Sequence, residues 1–199
     1  DIDERLKYGE VIIKVTEDLG EMAMKFKQQL VNCFLRGSRD INDEFRTSSL
    51  ANLGSISRLC SYQIHNFFHE MFLQLEGIIK SDTYLPSKRA ATMVLSQILA
   101  GLPNLMDFQS FLLPIYHLLK EILASESDDQ TKLHAEIALE HLNEKTRDFL
   151  KPQLKMQRGE RVEQPPFRRG IDDAPQGNAV FDIGDVHGEI TTALDELLG

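Results

Sequence analysis

One turn, written three times along the chain, limits what this sequence can fold into. Its first copy follows Cys33-Phe34-Leu35-Arg36-Gly37-Ser38-Arg39-Asp40 and leads through Ile41-Asn42-Asp43-Glu44 into Phe45-Arg46-Thr47-Ser48-Ser49-Leu50. Gly37, with Arg36 and Arg39, suits the C-terminus of an amphipathic helix, where cations meet unpaired carbonyls. Asp40, Asn42 and Asp43 can each cap the next helix by accepting from its free amides. Ser48, Ser49 and Ala51 let helices approach closely, and Leu50, Leu53 and Ile56 form the apolar stripe. The second copy places Asp82 at 82 − 40 = 42 positions on, with Ser87-Lys88-Arg89-Ala90-Ala91 where Phe45-Arg46-Thr47-Ser48-Ser49 stood. The third, Ser127-Asp128-Asp129 followed by Lys132-Leu133-His134-Ala135, starts 127 − 82 = 45 positions later. Helix pairs recurring at roughly 40–47 residues imply an all-α, HEAT/armadillo-like α-solenoid.

Seven helices fit the apolar spacing. The first is expected over Asp3–Leu19, with Leu6, Val11, Ile12, Val15 and Leu19 inward, and the second over Lys25–Arg36, burying Phe26, Leu30, Val31, Phe34 and Leu35. The third runs Phe45–Leu59. The fourth, Ile64–Lys80, has the cleanest stripe, from Ile64 through Phe68, Met71 and Leu75 to Ile79. The fifth carries Ala91, Val94, Leu95, Ile98, Leu99 and Leu102 and stops at Pro103. The sixth aligns Phe108, Phe111, Leu112, Ile115, Leu118, Leu119 and Ile122, with a kink or late start expected at Pro114. The seventh, Asp129–Leu150, is expected to end before Pro152.

Beyond Pro152 the apolar period disappears among Pro165, Pro166, Pro175, Gly159, Gly170 and Gly177. Three regions follow: a helical repeat domain over residues 1–151, a flexible linker over 152–178, and a short strand-turn-helix tail over 179–199. In that tail Ala179–Ile183 reads as a strand, Gly184-Asp185-Val186-His187-Gly188 as a tight turn, and Glu189–Leu198 as an amphipathic helix.

Charge and cysteine use narrow the function classes. A net charge of −9 without a basic block argues against nucleic acid as a partner. Cys33 and Cys60 lack metal or redox spacing and read as reduced core residues of an intracellular, cytoplasmic protein. No apolar run reaches the ~18 residues of a membrane span, and no signal peptide is present. The chain starts at Asp1 and enters helix at once, as expected of a piece of something longer.

Few residues offer chemistry. His65 and His69 have the four-residue spacing of two zinc ligands, but Glu70 follows the second histidine and no third ligand is indicated; they read as surface or groove-lining residues. His134 and His141 share a face and read as structural or solvent-facing. Ser125-Glu126-Ser127-Asp128-Asp129 is explained by capping, and Arg168-Arg169 by a solvated linker. The sharper motif is Gly184–Gly188, where Asp185 and His187 at a strand end could ligate one metal ion. It resembles the first metal-binding motif of calcineurin-like metallophosphoesterases. That resemblance implies Asp185 and His187 as ligands of a divalent metal, but it covers about 20 residues and lacks the later motifs that hold two ions and orient a water. The site is incomplete, and no cofactor is expected unless the tail belongs to a complete phosphoesterase.

A longer resemblance covers residues 1–152. Arg5-Leu6-Lys7-x-Gly9-Glu10, Phe34-Leu35-Arg36-Gly37-x-Arg39-Asp40, Ser48-Ser49-Leu50-Ala51-Asn52-Leu53-Gly54, His69-Glu70, Arg89-Ala90-Ala91, Tyr116-His117-Leu118-Leu119-Lys120 and Leu133-His134-Ala135-x-x-Ala138-Leu139-Glu140 occur in this order. Together they resemble the C-terminal region of the transport and Golgi organization protein six family, related to factors for RNA polymerase II nuclear transport. The resemblance implies a non-enzymatic solenoid scaffold acting in protein secretion and Golgi organisation, or in RNA polymerase II assembly and nuclear import. Its partners would be polymerase subunits or secretory-pathway proteins. Repeats upstream are implied as well, and through them membrane association or nucleocytoplasmic shuttling. The stretch from about Lys155 departs from the family pattern and reads as a fused fragment or an alternative end.

Overall fold

The computed structural model describes residues 1–60, 63–103 and 108–157, and for residues 149–157 the helical backbone alone. The chain divides into two compact units, Asp1–Lys151 and Pro152–Gly199. The expected linker, the strand-turn-helix tail and Asp185 and His187 lie outside the described residues, apart from the last residues of one helix.

Among the described residues the architecture is all-α, a helical solenoid. Its helices are α1 (Ile2–Leu19), α2 (Lys27–Gly37), α3 (Asp43–Leu59), α4 (His65–Ser81), α5 (Leu85–Gly101), α6 (Gln109–Ser125) and α7 (Asp129–Gln157), with a 3-10 segment, Gly20–Phe26, between α1 and α2. The odd helices α1, α3 and α5 pack side by side, and α2 and α4 lie behind α3 and α5. The two rear helices touch each other only sparingly, so the rear layer is splayed relative to the front.

The apolar stripes of α4, α5 and α6 form the core as their spacing predicts. Ile64, Phe68, Met71, Phe72, Leu75, Ile78 and Ile79 are buried, as are Ala91, Val94, Leu95, Ile98, Leu99 and Leu102. Phe108, Leu112, Ile115, Leu118, Leu119 and Ile122 complete the set. Phe68 anchors the α4–α6 contact, with edge-on rings of Phe108 at 4.5 Å and Phe111 at 5.1 Å between centroids, an arrangement favoured by the ring quadrupole.

Several expectations fail for identifiable reasons. On α1 the buried residues are Gly9 and Thr16, Leu6 and Ile12 of the expected stripe are half-buried, and Val11, Val15 and Leu19 are exposed; the helix turns toward α3 about Gly9, a quarter turn from the expected face. An added Cβ at Gly9 would lie 2.8 Å from Asn52 Nδ2, so the two helices approach too closely there for a larger side chain. The second helix begins at Lys27 instead of Lys25, because the 3-10 segment occupies the preceding residues and leaves Phe26 exposed. Cys33 is exposed beside α1, off the buried stripe of Val31, Phe34 and Leu35, whereas Cys60 is buried. Helix α6 starts at Gln109, so Pro114 falls inside it. Helix α7 runs through Pro152 to Gln157 instead of ending before it; a proline costs a helix one amide hydrogen bond but does not oblige it to stop.

Leu53 lies fully buried on α3, between the neighbouring helix pairs. Leu53→Ala is expected to cost about 2–5 kcal/mol, the range for a buried leucine whose site collapses incompletely. An unchanged midpoint in chemical denaturation would refute this placement.

Candidate functional site: the turn edge and its groove

The three recurrent turns lie along one edge of the solenoid, where they carry most of its charged contacts. Asn42 caps α3, its side chain accepting from the Phe45 amide at 2.9 Å. Asp40 holds the turn before it, accepting from the Asn42 amide at 2.9 Å. Asp82 does the same for the Tyr84 amide, also at 2.9 Å. Asp128 caps α7 directly, accepting from the Thr131 amide at 2.9 Å and its hydroxyl at 2.7 Å.

Each of these aspartates also receives an arginine from the preceding odd helix. Arg5 of α1 pairs with Asp40, and its guanidinium lies 3.8 Å over the Phe45 ring. Arg46 of α3 grips Asp82 with two donors, Nε at 2.7 Å and a terminal nitrogen at 3.0 Å. It also donates to the Asp40 carbonyl at 2.9 Å and to Asp43 at 2.6 Å. Arg89 of α5 meets Asp128 in the same two-donor fashion, Nε at 2.8 Å. Beside it Lys88 pairs with Glu126 at 3.3 Å. The edge is a ladder in which every rung joins one helix pair to the next.

The rungs differ in solvent access, which decides what each contributes. The Arg46 and Asp82 side chains keep only 12% and 9% of their accessible surface. Arg39 and Glu70, paired at 2.7 Å between the α2–α3 turn and α4, keep 46% and 54%. An exposed pair contributes about 0–1 kcal/mol, whereas stranding one member of a buried pair costs several.

The rungs also shift their carboxylates. The Arg5 guanidinium, helped by the Asn42 amide and opposed by partial burial, lowers Asp40. Glu126 is lowered by the Ser127 amide, against partial burial, with Lys88 assisting. Asp128 falls well below the usual range, chiefly through the Arg89 hydrogen bond and then those of Thr131.

Between the first two turns lies a groove of about 490 Å³, lined by Ser38, Arg39, Gln74, Gly77, Ser81 and Asp82 among others. Arg39 Nε donates to Gln74 at 3.0 Å, and Gln74 donates to the Ser38 carbonyl at 3.2 Å, forming one wall. A smaller apolar pocket of about 160 Å³ lies between α1, α2 and α3, beside Tyr8, Cys33 and Phe45.

The histidines singled out on the described helices gather no ligand set around them. His65 and His69 are exposed on α4, and His69 rests against Phe111 with ring centroids 5.6 Å apart. His134 and His141 are half-buried on α7. Among the described residues no group of three or more histidine, cysteine, aspartate or glutamate side chains could hold a metal ion. No helix among them is long and apolar enough to cross a membrane. The acidic stretch from Ser125 to Asp129 is, as expected, a capping turn.

The pairing of arginines with aspartates across repeats is not part of the sequence reading, although its trace is present. Arg5, Arg46 and Arg89 recur at 46 − 5 = 41 and 89 − 46 = 43 residues, nearly in step with Asp40, Asp82 and Asp128 at 42 and 46.

Two outcomes test the ladder. Arg46→Met is expected to lower stability by about 2–4 kcal/mol because it strands the Asp82 carboxylate, and Arg39→Met by under about 1 kcal/mol; equal losses in urea denaturation would refute the distinction. Because the folded-state pKa values of Asp40, Glu126 and Asp128 lie below their unfolded values, their stabilisation is complete above about pH 5 and declines as pH falls through about 4 and below. Asp128→Asn is therefore expected to flatten the acid side of the melting-temperature profile, and an unaltered acid slope would count against it.

Residues 112–144 match a family model described as "Required for nuclear transport of RNA pol II C-terminus 2". The chain is 45% identical over 154 residues to the Transport and Golgi organization protein 6 of Drosophila melanogaster, a match covering 77% of this chain and 17% of that relative. No solved structure matches. Through its helical region, the chain belongs to the transport and Golgi organization protein six family.

Proposed function

We propose that the helical region is a HEAT-like, non-enzymatic scaffold that binds other proteins. On this reading it acts in the cytoplasm, either in protein secretion and Golgi organisation or in the assembly and nuclear import of RNA polymerase II. The observation that carries the proposal is the 45% identity to a protein named for transport and Golgi organization, extending over most of this chain. The family model named for nuclear transport of RNA polymerase II supports the second role. The groove at the turn edge supports binding, because Arg39, Glu70 and Gln74 there are held by exposed, exchangeable contacts. A partner's carboxylate or backbone carbonyl can replace them at small cost, as exposed ion pairs contribute little.

Affinity capture with the 199-residue chain tests the roles. Enrichment of RNA polymerase II subunits favours the import role, and enrichment of coat or Golgi proteins the secretory role. Failure to enrich either class overturns both. A weaker second reading rests on Gly184-Asp185-Val186-His187-Gly188, which makes the chain the opening piece of a metal-dependent phosphoesterase. We expect no hydrolysis of a chromogenic phosphate by this chain with manganese present. Turnover that is lost in Asp185→Asn would reverse that expectation.

A further inference from the structure

Helix α4 contains a glycine that the fold itself does not use. Three other helical glycines each face a neighbour that a Cβ would strike: Gly9 the Asn52 side chain, Gly37 the Ser49 side chain, and Gly54 the Gln97 Oε1 at 2.5 Å. Gly77 differs from all three. Its backbone is ordinary helix without a positive φ, and an added Cβ would meet no atom of the described residues within 4 Å. It stands one turn before Ser81, the last residue of α4, and the helix closes on Asp82 in extended backbone, so Gly77 serves no cap. Glycine weakens a helix relative to alanine because it has more backbone freedom to lose. Gly77 therefore carries a cost that no contact among the described residues offsets.

Its position indicates what the opening admits. Gly77 is exposed on the wall of the groove between the first two turns, with Gln74 about one turn before it and Ser81 one turn after. Along this row the α4 surface is low at Gly77 and polar on either side. A chain crossing there can bring its own backbone against the helix, an approach that any Cβ would hold off. Charge selects the chain. The groove is lined by Arg39, Arg46 and Asp82, hence 2 − 1 = +1, in a protein whose net charge is −9. Arg46 and Asp82 hold each other in the ladder. Among the lining residues that leaves Arg39, 46% exposed, as the cation able to turn to a ligand.

We infer that this groove receives an extended acidic peptide of another protein, its main chain laid across Gly77 and one aspartate or glutamate on Arg39 in place of Glu70. The inference rests on the scaffold reading and gives it a partner chemistry. An extended chain suits the place better than a helix. A helix keeps its backbone inside a sheath of side chains, whereas an extended chain shows its amides and carbonyls between side chains that alternate from face to face. Such a chain can lie against a glycine and offer a carbonyl or amide to the Gln74 carboxamide, which already bridges to the Ser38 carbonyl at 3.2 Å. The guanidinium of Arg39 can take both oxygens of an incoming carboxylate, a geometry that a lysine would not impose.

Melting and peptide titration of the 199-residue chain test this assignment. Gly77→Ala should raise the melting temperature by about 2–4 °C, as expected when a helical glycine is replaced without a clash. The probe is a short fluorescein-labelled peptide of alternating serine and glutamate, followed by fluorescence anisotropy, with its serine-glutamine counterpart as control. Gly77→Ala, although more stable, should bind the glutamate peptide more weakly, as should Arg39→Gln, each by about tenfold, the equivalent of one lost contact to a charged group. The glutamine peptide should bind the unaltered chain more weakly by a similar factor. Equal binding by the Gly77→Ala variant overturns the inference. So do equal binding of the two peptides, failure of the glutamate peptide to bind, and a melting temperature that does not rise. A dimer in sedimentation that Gly77→Leu disperses would also overturn it, by assigning the groove to a second copy. Captured partners decide the scaffold reading separately. A Gly77→Leu chain that still enriches polymerase or Golgi proteins leaves that reading standing and removes this groove from it, and failed capture with intact peptide binding does the reverse.

Discussion

The guanidinium of Arg46 fixes what apolar burial leaves free. Burial of Leu50, Leu53 and Ile56 against their neighbours supplies much of the stabilisation, yet the hydrophobic effect has no direction and tolerates sliding of one stripe along another. A fork with several donors does not tolerate it. Arg46 meets both oxygens of Asp82, the Asp40 carbonyl and Asp43 together, and a shift of one helical turn, about 5.4 Å, would break all of them. Lysine, a point charge on a flexible stem, could not impose that geometry. The ladder sets the register between helix pairs, and the core fills in behind it.

Register in turn makes the small residues necessary. With the turns fixed, α1 and α3 meet where Gly9 faces Asn52, and α2 meets α3 where Gly37 faces Ser49. Larger residues there would push the helices apart and lengthen the rungs. Behind them, where α2 and α4 splay, volume is needed instead. Farther along that layer, Phe68, Phe72, Phe108 and Phe111 supply it.

The helices that were legible in the sequence are those covered on more than one side. The stripes of α4, α5 and α6 read correctly because burial imposed the period on their sequences. Helix α1 has an equally regular pattern, but Val11, Val15 and Leu19 point away from α3. Periodicity shows that a helix has an apolar face and says nothing about which neighbour will cover it. Phe26 was misplaced for a related reason, because the 3-10 segment holds it ahead of α2, and Cys33 because it lies off the Val31, Phe34 and Leu35 stripe that the spacing itself predicts. Pro152 shows the opposite error, a strong local signal overridden by a helix already many turns long. The capping aspartates were readable because a cap is local. Their arginine partners, 35 to 39 residues away, were not, because pairing is a property of the folded repeat.

Exposure also separates the structural arginines from those available to a partner. Arg46 and Arg39 have the same group and lie only seven residues apart, both at the wall of one groove. Arg46 is desolvated, and its departure would strand the buried Asp82 carboxylate, although Asp43 is exposed. Arg39 is nearly half exposed, and Glu70 and Gln74 can return to water when it leaves them. An incoming carboxylate can therefore displace the Glu70 contact without disturbing the ladder. The groove can change its hydrogen bonding while the solenoid beneath it keeps its shape.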